Sequence, residues 1–356
     1  MKILKIAASD SAIDCFQTYR QVVPLSQTDY TDIAVAVFSV EDVMAGALES
    51  LQRTGFDIPI FLATSPGTGN RARDVYKHLE DVLLQVNGIF DRSRNNAEYH
   101  GNQLETAAKA YEESLLPPFF DSLKRYTESA NVTFACPGHQ GGQFFRKHPA
   151  GRQFFDFFGE TLFRADMCNA DVKLGDLLIH EGPALLAQKH AAKVFNADKT
   201  YFVLNGTSAS NKVVTNALLT PGDLVLFDRN NHKSNHQGAL IQAGATPVYL
   251  ETARNPYGFI GGIDAHCFEE SYLRELIAEV APDKAQVARP FRLAIIQLGT
   301  YDGTVYNARQ VVDRIGKLCD YILFDSAWVG YEQFIPMMKD CSPLLLDLHE
   351  DDPGIF

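Results

Sequence analysis

The sequence lacks the features that mark several classes of protein. Its six cysteines form no C-x-x-C pair and no His/Cys spacing of the zinc kind, which argues against a disulfide framework and against a metal site. No stretch approaches the roughly 18 uninterrupted apolar residues of a membrane helix. Basic residues number 32 against 44 acidic ones, for a net charge of −12, and this excess of acid argues against nucleic acid as a partner.

What is present is the composition of a globular protein. Of the 356 residues, 46% are hydrophobic and 21% are charged, which allows two or three domains with buried cores. The first residues, MKILKIAASDSAIDCF, turn polar too early for a signal peptide. We therefore predict a cytoplasmic protein whose cysteines are reduced and structural.

The first hundred residues alternate short apolar strands with amphipathic helices, which predicts a small α/β unit with a parallel sheet. Strands are predicted at 3–8, 21–25, 32–40 and 58–64. Receiver domains of signalling proteins share this shape. The central strand, however, ends in Ser39-Val40-Glu41 without an aspartate, so a structural or assembly role is favoured over phospho-acceptance.

The middle of the chain is predicted to connect two domains. The stretch SPGTGNRAR, at 65–73, lacks the context of a nucleotide-binding fingerprint and is interpreted as a surface loop. The helical pattern at 96–128 is interrupted by Pro117-Pro118, which must end or kink the helix. The aromatic and glycine-rich stretch that begins with CPGHQGG has no clean period, so we expect packing on another element or a second subunit to order it.

From about Pro183 the α/β alternation resumes on a larger scale. Helices separate the apolar strands KTYFVL, DLVLF, TPVYLE, RLAIIQL and YILFD. Repeated βαβ units of this kind form buried parallel sheets, and their ligands gather where strands end and loops begin.

Three polar loops follow these strands. LNGTSASNK, at 204–212, places small residues and hydroxyls at a helix N-terminus, which suits a phosphate; an ordinary N-capped helix is the alternative. FDRNNHKSNHQG, at 227–238, gathers two histidines, a lysine and an arginine, which favours a functional role over a solvated surface. QLGTYDGTVYN, at 297–307, contains an Asp-Gly pair that also suits a plain turn.

A fourth strand ends in an acid. Asp325 follows the apolar run 321–324, and an ionised carboxylate avoids such a position unless a cation or hydrogen-bond donors meet it there. An acid opposite a phosphate loop suits a cofactor with an anionic end and a cationic end. Pyridoxal phosphate is such a molecule, because a carboxylate that keeps its ring nitrogen protonated makes the ring a better electron acceptor.

Several long stretches resemble one family. CPGHQGG, DLLIHEGPA, VLNGTSASNKVV, NPYGFIGGID and FDSAWVGYEQF are similar, in this order, to the bacterial pyridoxal-phosphate-dependent ornithine/lysine/arginine decarboxylases, above all to those of the inducible ornithine type. The resemblance covers the whole chain. It implies decarboxylation of L-ornithine to putrescine and carbon dioxide, in polyamine biosynthesis and the response to acid, with lysine or arginine as the alternative substrate.

The resemblance also implies an architecture. Residues 1–107 would form a flavodoxin-like wing domain, through which homodimers assemble into larger rings. Residues 108–165 would form a linker region. Residues 166–356 would form the N-terminal part of a truncated large domain of the aspartate-aminotransferase type, also called fold type I.

The family's site residues are carried over by position. Asp325 would bind the ring nitrogen and His232 would stack on the ring, and both are expected to be catalytic. The other implied cofactor-binding residues are Thr207, Ser208 and Ala209 at the phosphate and Trp328 beside the ring.

One residue implied by the resemblance is not found. The family's Schiff-base lysine lies in a Ser-x-His-Lys motif shortly after a D-P-G-I stretch, and this sequence ends in DDPGIF at Phe356. Lys233 does not occupy the matching position. The chain is therefore expected to be the N-terminal portion of a larger enzyme and inactive alone. The alternatives are an aminotransferase on the same fold and a non-catalytic assembly or regulatory fragment.

Overall fold

The computed structural model describes residues 3–64, 86–92, 96–129, 131–132, 134, 136–168 and 171–348. The chain divides into two compact units, Met1–Ala184 and Leu185–Phe356. The loop predicted at 65–73 and the final DDPGIF lie outside the described residues.

The first unit is built on a parallel sheet of five strands. These are β1 (Lys5–Ala8), β2 (Val22–Pro24), β3 (Ile33–Ser39), β4 (Ile60–Thr64) and β5 (Gly88–Asp91). Their order in the sheet is β2-β1-β3-β4-β5, one of the two common orders of doubly wound sheets. The predicted α/β unit with a parallel sheet is therefore confirmed.

Helices cover both faces of the central strand β3, and all seven of its residues are buried. Val37 packs in the cluster that includes helix α3 (Ala97–Ser114). Its neighbour Phe38 packs in the opposite cluster, with α1 (Val40–Met44) and α2 (Ala47–Gln52). Successive side chains of a strand point to opposite faces, which is why an unbroken apolar run forms the centre of this unit.

The tip of β3 carries a cap rather than an acid. Ser39 Oγ accepts a hydrogen bond from the backbone N–H of Asp42 at 3.1 Å and caps α1. The last residue of β3 is therefore a helix cap and not an aspartate that could accept a phosphoryl group.

The proline pair ends a helix, as the sequence predicts. Helix α3 ends at Ser114, and α4 (Pro118–Glu128) begins at the second proline, where the missing N–H has no intrahelical partner to lose.

Helices α5 (Pro149–Phe158) and α6 (Glu160–Ala165) form the aromatic segment. The rings of Phe155 and Phe163 stack with centroids 5.3 Å apart, so the phenylalanines of this segment order one another. Helix α7 (Gly182–Val194) follows.

The second unit contains a parallel sheet of four strands, in the order β11-β10-β6-β7. The strands are β6 (Leu224–Asp228), β7 (Thr246–Leu250), β10 (Phe291–Gln297) and β11 (Cys319–Asp325). Strands β8 (Thr252–Arg254) and β9 (Ile260–Ile263) form a separate antiparallel pair. The helices are α8 (Thr207–Leu218), α9 (Lys233–His236, continued by a π-helix at Gln237–Gln242), α10 (Glu270–Val280) and α11 (Ala308–Ile315).

This sheet is also covered on both faces. Phe227 and Ile295 pack with Ala239 of the π-helix on one face. Ile296 packs with Ile277 of α10 and Ile315 of α11 on the other. The polar loops follow the carboxyl ends of these strands, which lie at one edge of the sheet.

One predicted strand is wrong. Residues 199–203 of the stretch KTYFVL are irregular, and Leu204 is 80% exposed. A strand needs a neighbour to accept and donate its backbone hydrogen bonds. Among the described residues, β11 pairs on one side only, with β10, so the apolar stretch has no strand partner.

Candidate functional site at the strand ends of the second unit

Asp325 is the last residue of β11, and its side chain is buried, with 2% exposure. It lies level with Gln297, the last residue of the neighbouring β10. The carboxyl ends of parallel strands meet at one edge of a sheet, so the loops after β6, β10 and β11 are gathered around this acid.

Amide donors explain how the carboxylate can be buried. Its Oδ2 accepts hydrogen bonds from Asn211 Nδ2 at 2.8 Å and from Asn235 Nδ2 at 3.0 Å. Its Oδ1 accepts one, from the backbone N–H of Ala327 at 3.2 Å. The donors in the described structure are neutral, and Oδ1 keeps an open lone pair.

A glycine brings the two asparagines together. Asn211 lies on α8 and Asn235 on α9, which continues into the π-helix that contains Gly238. A Cβ at Gly238 would overlap Thr215 Oγ1 and lie 3.3 Å from the Lys212 Cα. The missing side chain lets the two helices approach closely enough to share one carboxylate.

The N-terminus of α8 lies one helical turn before Asn211, which donates to that carboxylate. Gly206, with φ of 78°, precedes Thr207, the first residue of the helix. The amide of Ala209 donates to Gly206 O at 3.0 Å, whereas the first amides of a helix have no intrahelical acceptor. Thr207 and Ser208 precede Asn211 by four and three residues, and this spacing places them on the same helix face, about 5.4 Å or one turn away.

His232 is the N-cap of α9. Its Nδ1 accepts from the backbone N–H of Ser234 at 3.2 Å and lies 2.8 Å from Ser234 Oγ, while the residue as a whole is exposed. Trp328 is 61% exposed and meets the ring of Tyr301 edge-on, with centroids 6.2 Å apart. Lys233 is exposed at the start of α9.

The Asp-Gly pair of the third polar loop lies in a turn. The backbone N–H of Gly303 donates to Thr300 O at 3.0 Å, and that of Thr300 donates to Thr304 O at 2.9 Å. Asp302 is exposed and accepts from the backbone N–H of Ile260 at 3.3 Å. It is not among the residues around Asp325.

The sequence reasoning missed several buried polar residues at this edge. Asn211, Ser234 and Asn235 surround Asp325 and are 4%, 2% and 0% exposed. Asp228 is fully buried at the end of β6, and burial raises its pKa to about 6. The Asn at the fourth position after Thr207 was a usable signal, because it shares the face of the predicted phosphate loop.

The arrangement suits a ligand with two unlike ends. Free helix amides at Thr207 and Ser208 can bind an anion, and the open lone pair of Asp325 Oδ1 can accept from a protonated nitrogen. The donor set fits pyridoxal phosphate, which carries a phosphate and a pyridine nitrogen. In the described residues, no group of three or more His, Cys, Asp or Glu side chains could hold a metal ion. No helix of the described chain is long and apolar enough to cross a membrane.

The fold and site together define an α/β protein in which a buried acid and a helix N-terminus share one sheet edge. Residues 117–356 match the family described as "Orn/Lys/Arg decarboxylase, major domain", and residues 4–111 match "Orn/Lys/Arg decarboxylase, N-terminal domain". The chain belongs to the Orn/Lys/Arg decarboxylase family.

Named relatives agree with this assignment. The chain is 68% identical over 356 residues to the inducible ornithine decarboxylase of Escherichia coli K12, covering all of this chain and 48% of that protein. It is 64% identical to the ornithine decarboxylase of Haemophilus influenzae, again over all of this chain and 48% of that protein. The solved lysine decarboxylase A from Pseudomonas aeruginosa superposes with a TM-score of 0.81 at 28% identity, covering 99% of this chain and 51% of that one. The chain spans about half the length of the curated relatives that it matches.

Proposed function

We propose that the full-length protein containing this chain decarboxylates L-ornithine to putrescine and carbon dioxide with pyridoxal phosphate as its cofactor. The observation that carries the proposal is the buried Asp325, whose Oδ2 accepts from two asparagine amides and whose Oδ1 accepts from one backbone N–H. One of the two asparagines, Asn211, lies one turn into α8. The ornithine decarboxylases at 68% and 64% identity support ornithine over lysine or arginine as the substrate.

The chain's residues have separate roles in this proposal. The first-turn amides and hydroxyls of Thr207 and Ser208, together with Ala209, would hold the phosphate, and the helix N-terminus favours that charge by about 0.3–1 kcal/mol. His232 would lie against one face of the ring, and Trp328 would line the pocket beside it. When bound, the cofactor supplies an electron-accepting ring for the electron pair left at Cα as carbon dioxide departs.

Asp325 is the catalytic residue proposed to keep the ring nitrogen of the cofactor protonated. Its Oδ1 would accept a hydrogen bond from the ring nitrogen and keep the proton there, a charge-assisted bond that contributes about 1.5–3 kcal/mol. The asparagine donors bind Oδ2 and leave one lone pair of Oδ1 for this bond. A neutral side chain at 325 would leave the ring nitrogen without this proton.

The assembly is also a proposal. The strand order β2-β1-β3-β4-β5 supports a flavodoxin-like wing domain at 1–107, and the four-stranded sheet supports the first part of a fold-type-I domain at 166–356, with 108–165 between them. We propose that the full-length protein acts in the cytoplasm as homodimers that assemble into larger rings.

Asp325→Ala in the full-length protein tests the proposal. Release of labelled carbon dioxide from carboxyl-labelled L-ornithine should fall by roughly 100- to 1000-fold, the usual cost of removing a group that stabilises charge in the transition state. Asp320→Ala is the matched control, because Asp320 lies on the same strand but pairs with Arg292 at an exposed edge. Turnover of Asp325→Ala close to the control would contradict the assignment.

The same assay separates the competing functions. Parallel reactions with L-lysine and L-arginine identify the substrate, and ornithine should give the highest kcat/KM. A full-length protein that retains pyridoxal phosphate but decarboxylates none of the three would favour the non-catalytic assembly role. The 356-residue chain, which contains no Ser-x-His-Lys motif, should release no carbon dioxide.

A further inference from the structure

A chain of hydrogen bonds joins Asp325 and His232, which are both proposed to contact the cofactor ring. It runs from Asp325 through Asn211 and Ser234 to His232. The two intermediate residues are buried, with 4% and 2% exposure. Asn211 has so far been described only as a donor to Asp325, and Ser234 has no role in the proposed function as described so far.

The direction of the bonds around Asp325 is fixed by backbone carbonyls. Asn231 Nδ2 donates to Asp228 O at 2.9 Å and to Ile295 O at 2.7 Å, and carbonyl oxygens can only accept. Asn231 must therefore present its Oδ1 to Asn235, which donates to it from Nδ2 at 2.9 Å. The same Nδ2 donates to Asp325 Oδ2 at 3.0 Å, so this carboxylate oxygen is set as an acceptor.

The remaining bonds then have one consistent direction. Asn211 Nδ2 has two hydrogens, of which one goes to Asp325 Oδ2 and the other to Ser234 Oγ at 3.2 Å. The backbone N–H of Ser234 donates to His232 Nδ1 at 3.2 Å, which makes this nitrogen an acceptor. Ser234 Oγ, 2.8 Å from the same nitrogen, therefore donates its hydrogen to it. Two donors on Nδ1 leave the ring proton on Nε2.

We propose that Asn211 and Ser234 are positioning residues that hold Asp325 and His232 in register for the cofactor ring. The chain of hydrogen bonds from Asp325 through Asn211 and Ser234 directs Asp325 Oδ1 to the ring nitrogen. It also keeps His232 as the neutral Nε2–H tautomer with its ring plane fixed. The tautomer of His232 is a property of the chain alone, whereas the effect on the cofactor rests on the proposed function.

The tautomer test needs no cofactor. Nitrogen–proton correlation spectra of the 356-residue chain, labelled at histidine and assigned with His232→Gln, should show an unprotonated Nδ1 and a protonated Nε2 at His232. Ser234→Ala removes the hydroxyl donor and should give a mixture of tautomers. The control is Ser342→Ala, which removes another buried serine hydroxyl, at 1% exposure. A protonated Nδ1 in the wild type, or an unchanged tautomer in Ser234→Ala, would contradict the proposal that the chain of hydrogen bonds through Ser234 sets the tautomer of His232.

The cofactor test uses the full-length protein. Asn211→Asp is nearly isosteric but replaces a donor with a carboxylate beside Asp325 Oδ2, whereas Asn211→Leu only removes the donor. The Kd for pyridoxal phosphate should rise about tenfold in Asn211→Leu, the worth of about one hydrogen bond, and further in Asn211→Asp. The opposite order, with Asn211→Asp near wild type, would show that only side-chain shape matters and would overturn the positioning role.

The two arms separate the two hypotheses. If the wild-type full-length protein does not bind pyridoxal phosphate, the proposed function is wrong. The tautomer of His232 is still decided by the spectra of the chain without cofactor. If the wild type binds the cofactor and the Asn211 variants bind it equally well, the positioning role fails while the proposed function stands.

Discussion

At the scale of single residues, the second unit buries a carboxylate that the proposed site does not use. Asp228 is 0% exposed at the end of β6; its Oδ1 accepts from the backbone N–H of Asn230 at 2.9 Å, and its Oδ2 has no partner among the described residues. Burial raises the pKa of Asp228 from 3.8 to about 6, because the ionised form loses its hydration without gaining a cation. Burial raises the pKa of Tyr306, and the charge of Asp228 raises it further.

Asp228→Asn should therefore stabilise the protein in a pH-dependent way. A folded pKa above the unfolded one means that stability is highest below pH 3.8 and falls as the pH rises to about 6, with a full penalty of about 3 kcal/mol above that window. The neutral amide avoids this penalty. Urea unfolding at pH 7.5 and 4.5 should show a gain of about 1–3 kcal/mol at the higher pH and about a third of that gain at the lower. Asp320→Asn, on the exposed edge, is the control, and a gain independent of pH would contradict this account.

Sequence patterns located some of these residues and not others. Asp325 and Thr207 were predicted because each lies where a local pattern changes, at the end of an apolar run and at the start of a helix. Asn211 and Asn235 were missed because their partner is 114 and 90 residues away. Asn211 shares a helix face with Thr207, but nothing in the neighbouring sequence indicates the contacts of either asparagine with Asp325 at the end of β11.

At the scale of secondary structure, the close approach of α8 and the π-helix depends on Gly238. An added Cβ at this position would overlap Thr215 Oγ1, so Gly238→Ala should push the helices apart and destabilise the protein by about 1–3 kcal/mol, the usual cost of overpacking. Gly262→Ala is a matched control, since its Cβ would meet nothing within 4 Å. Chemical denaturation should separate the two variants, and equal stabilities would contradict the close packing.

Elements were predictable where the core alone sets their pattern. The strands β3, β6, β10 and β11 were all expected from unbroken apolar runs, and the end of α3 from its proline pair. The stretch at 199–204 has the same apolar character but forms no strand, because composition does not reveal whether a pairing neighbour exists. The antiparallel pair β8 and β9 was missed because its strands have only three and four residues, too few to show a period of two.

At the scale of the whole molecule, each compact unit has its own buried polar network, and that of the first unit is centred on Arg20. Its side chain is 3% exposed and bonds Glu105 and Glu112 of α3 at 2.8 Å each. It also donates to Leu4 O at 2.9 Å. The hydrogen bond from Arg20 lowers the pKa of Glu112. One guanidinium thus ties the start of the chain to a helix about a hundred residues away.

Arg20→Ala should destabilise the first unit by about 3 kcal/mol or more, because it leaves two largely buried carboxylates without their cation. Arg53→Ala is the matched control. Arg53 pairs with Glu49 at 3.4 Å, with side chains 80% and 68% exposed, and the loss of this pair should cost at most about 0.5 kcal/mol.

The pH dependence of this stabilisation follows from the lowered pKa of Glu112. The network stabilises the unit above the ordinary carboxyl range, and this stabilisation is lost as the pH falls through the folded pKa. Thermal unfolding at pH 7 and in acid should therefore show a large gap between wild type and Arg20→Ala at neutral pH that narrows in acid. A gap that is no larger than that of Arg53→Ala, or that widens as the pH falls, would mean that the guanidinium does not hold this unit together.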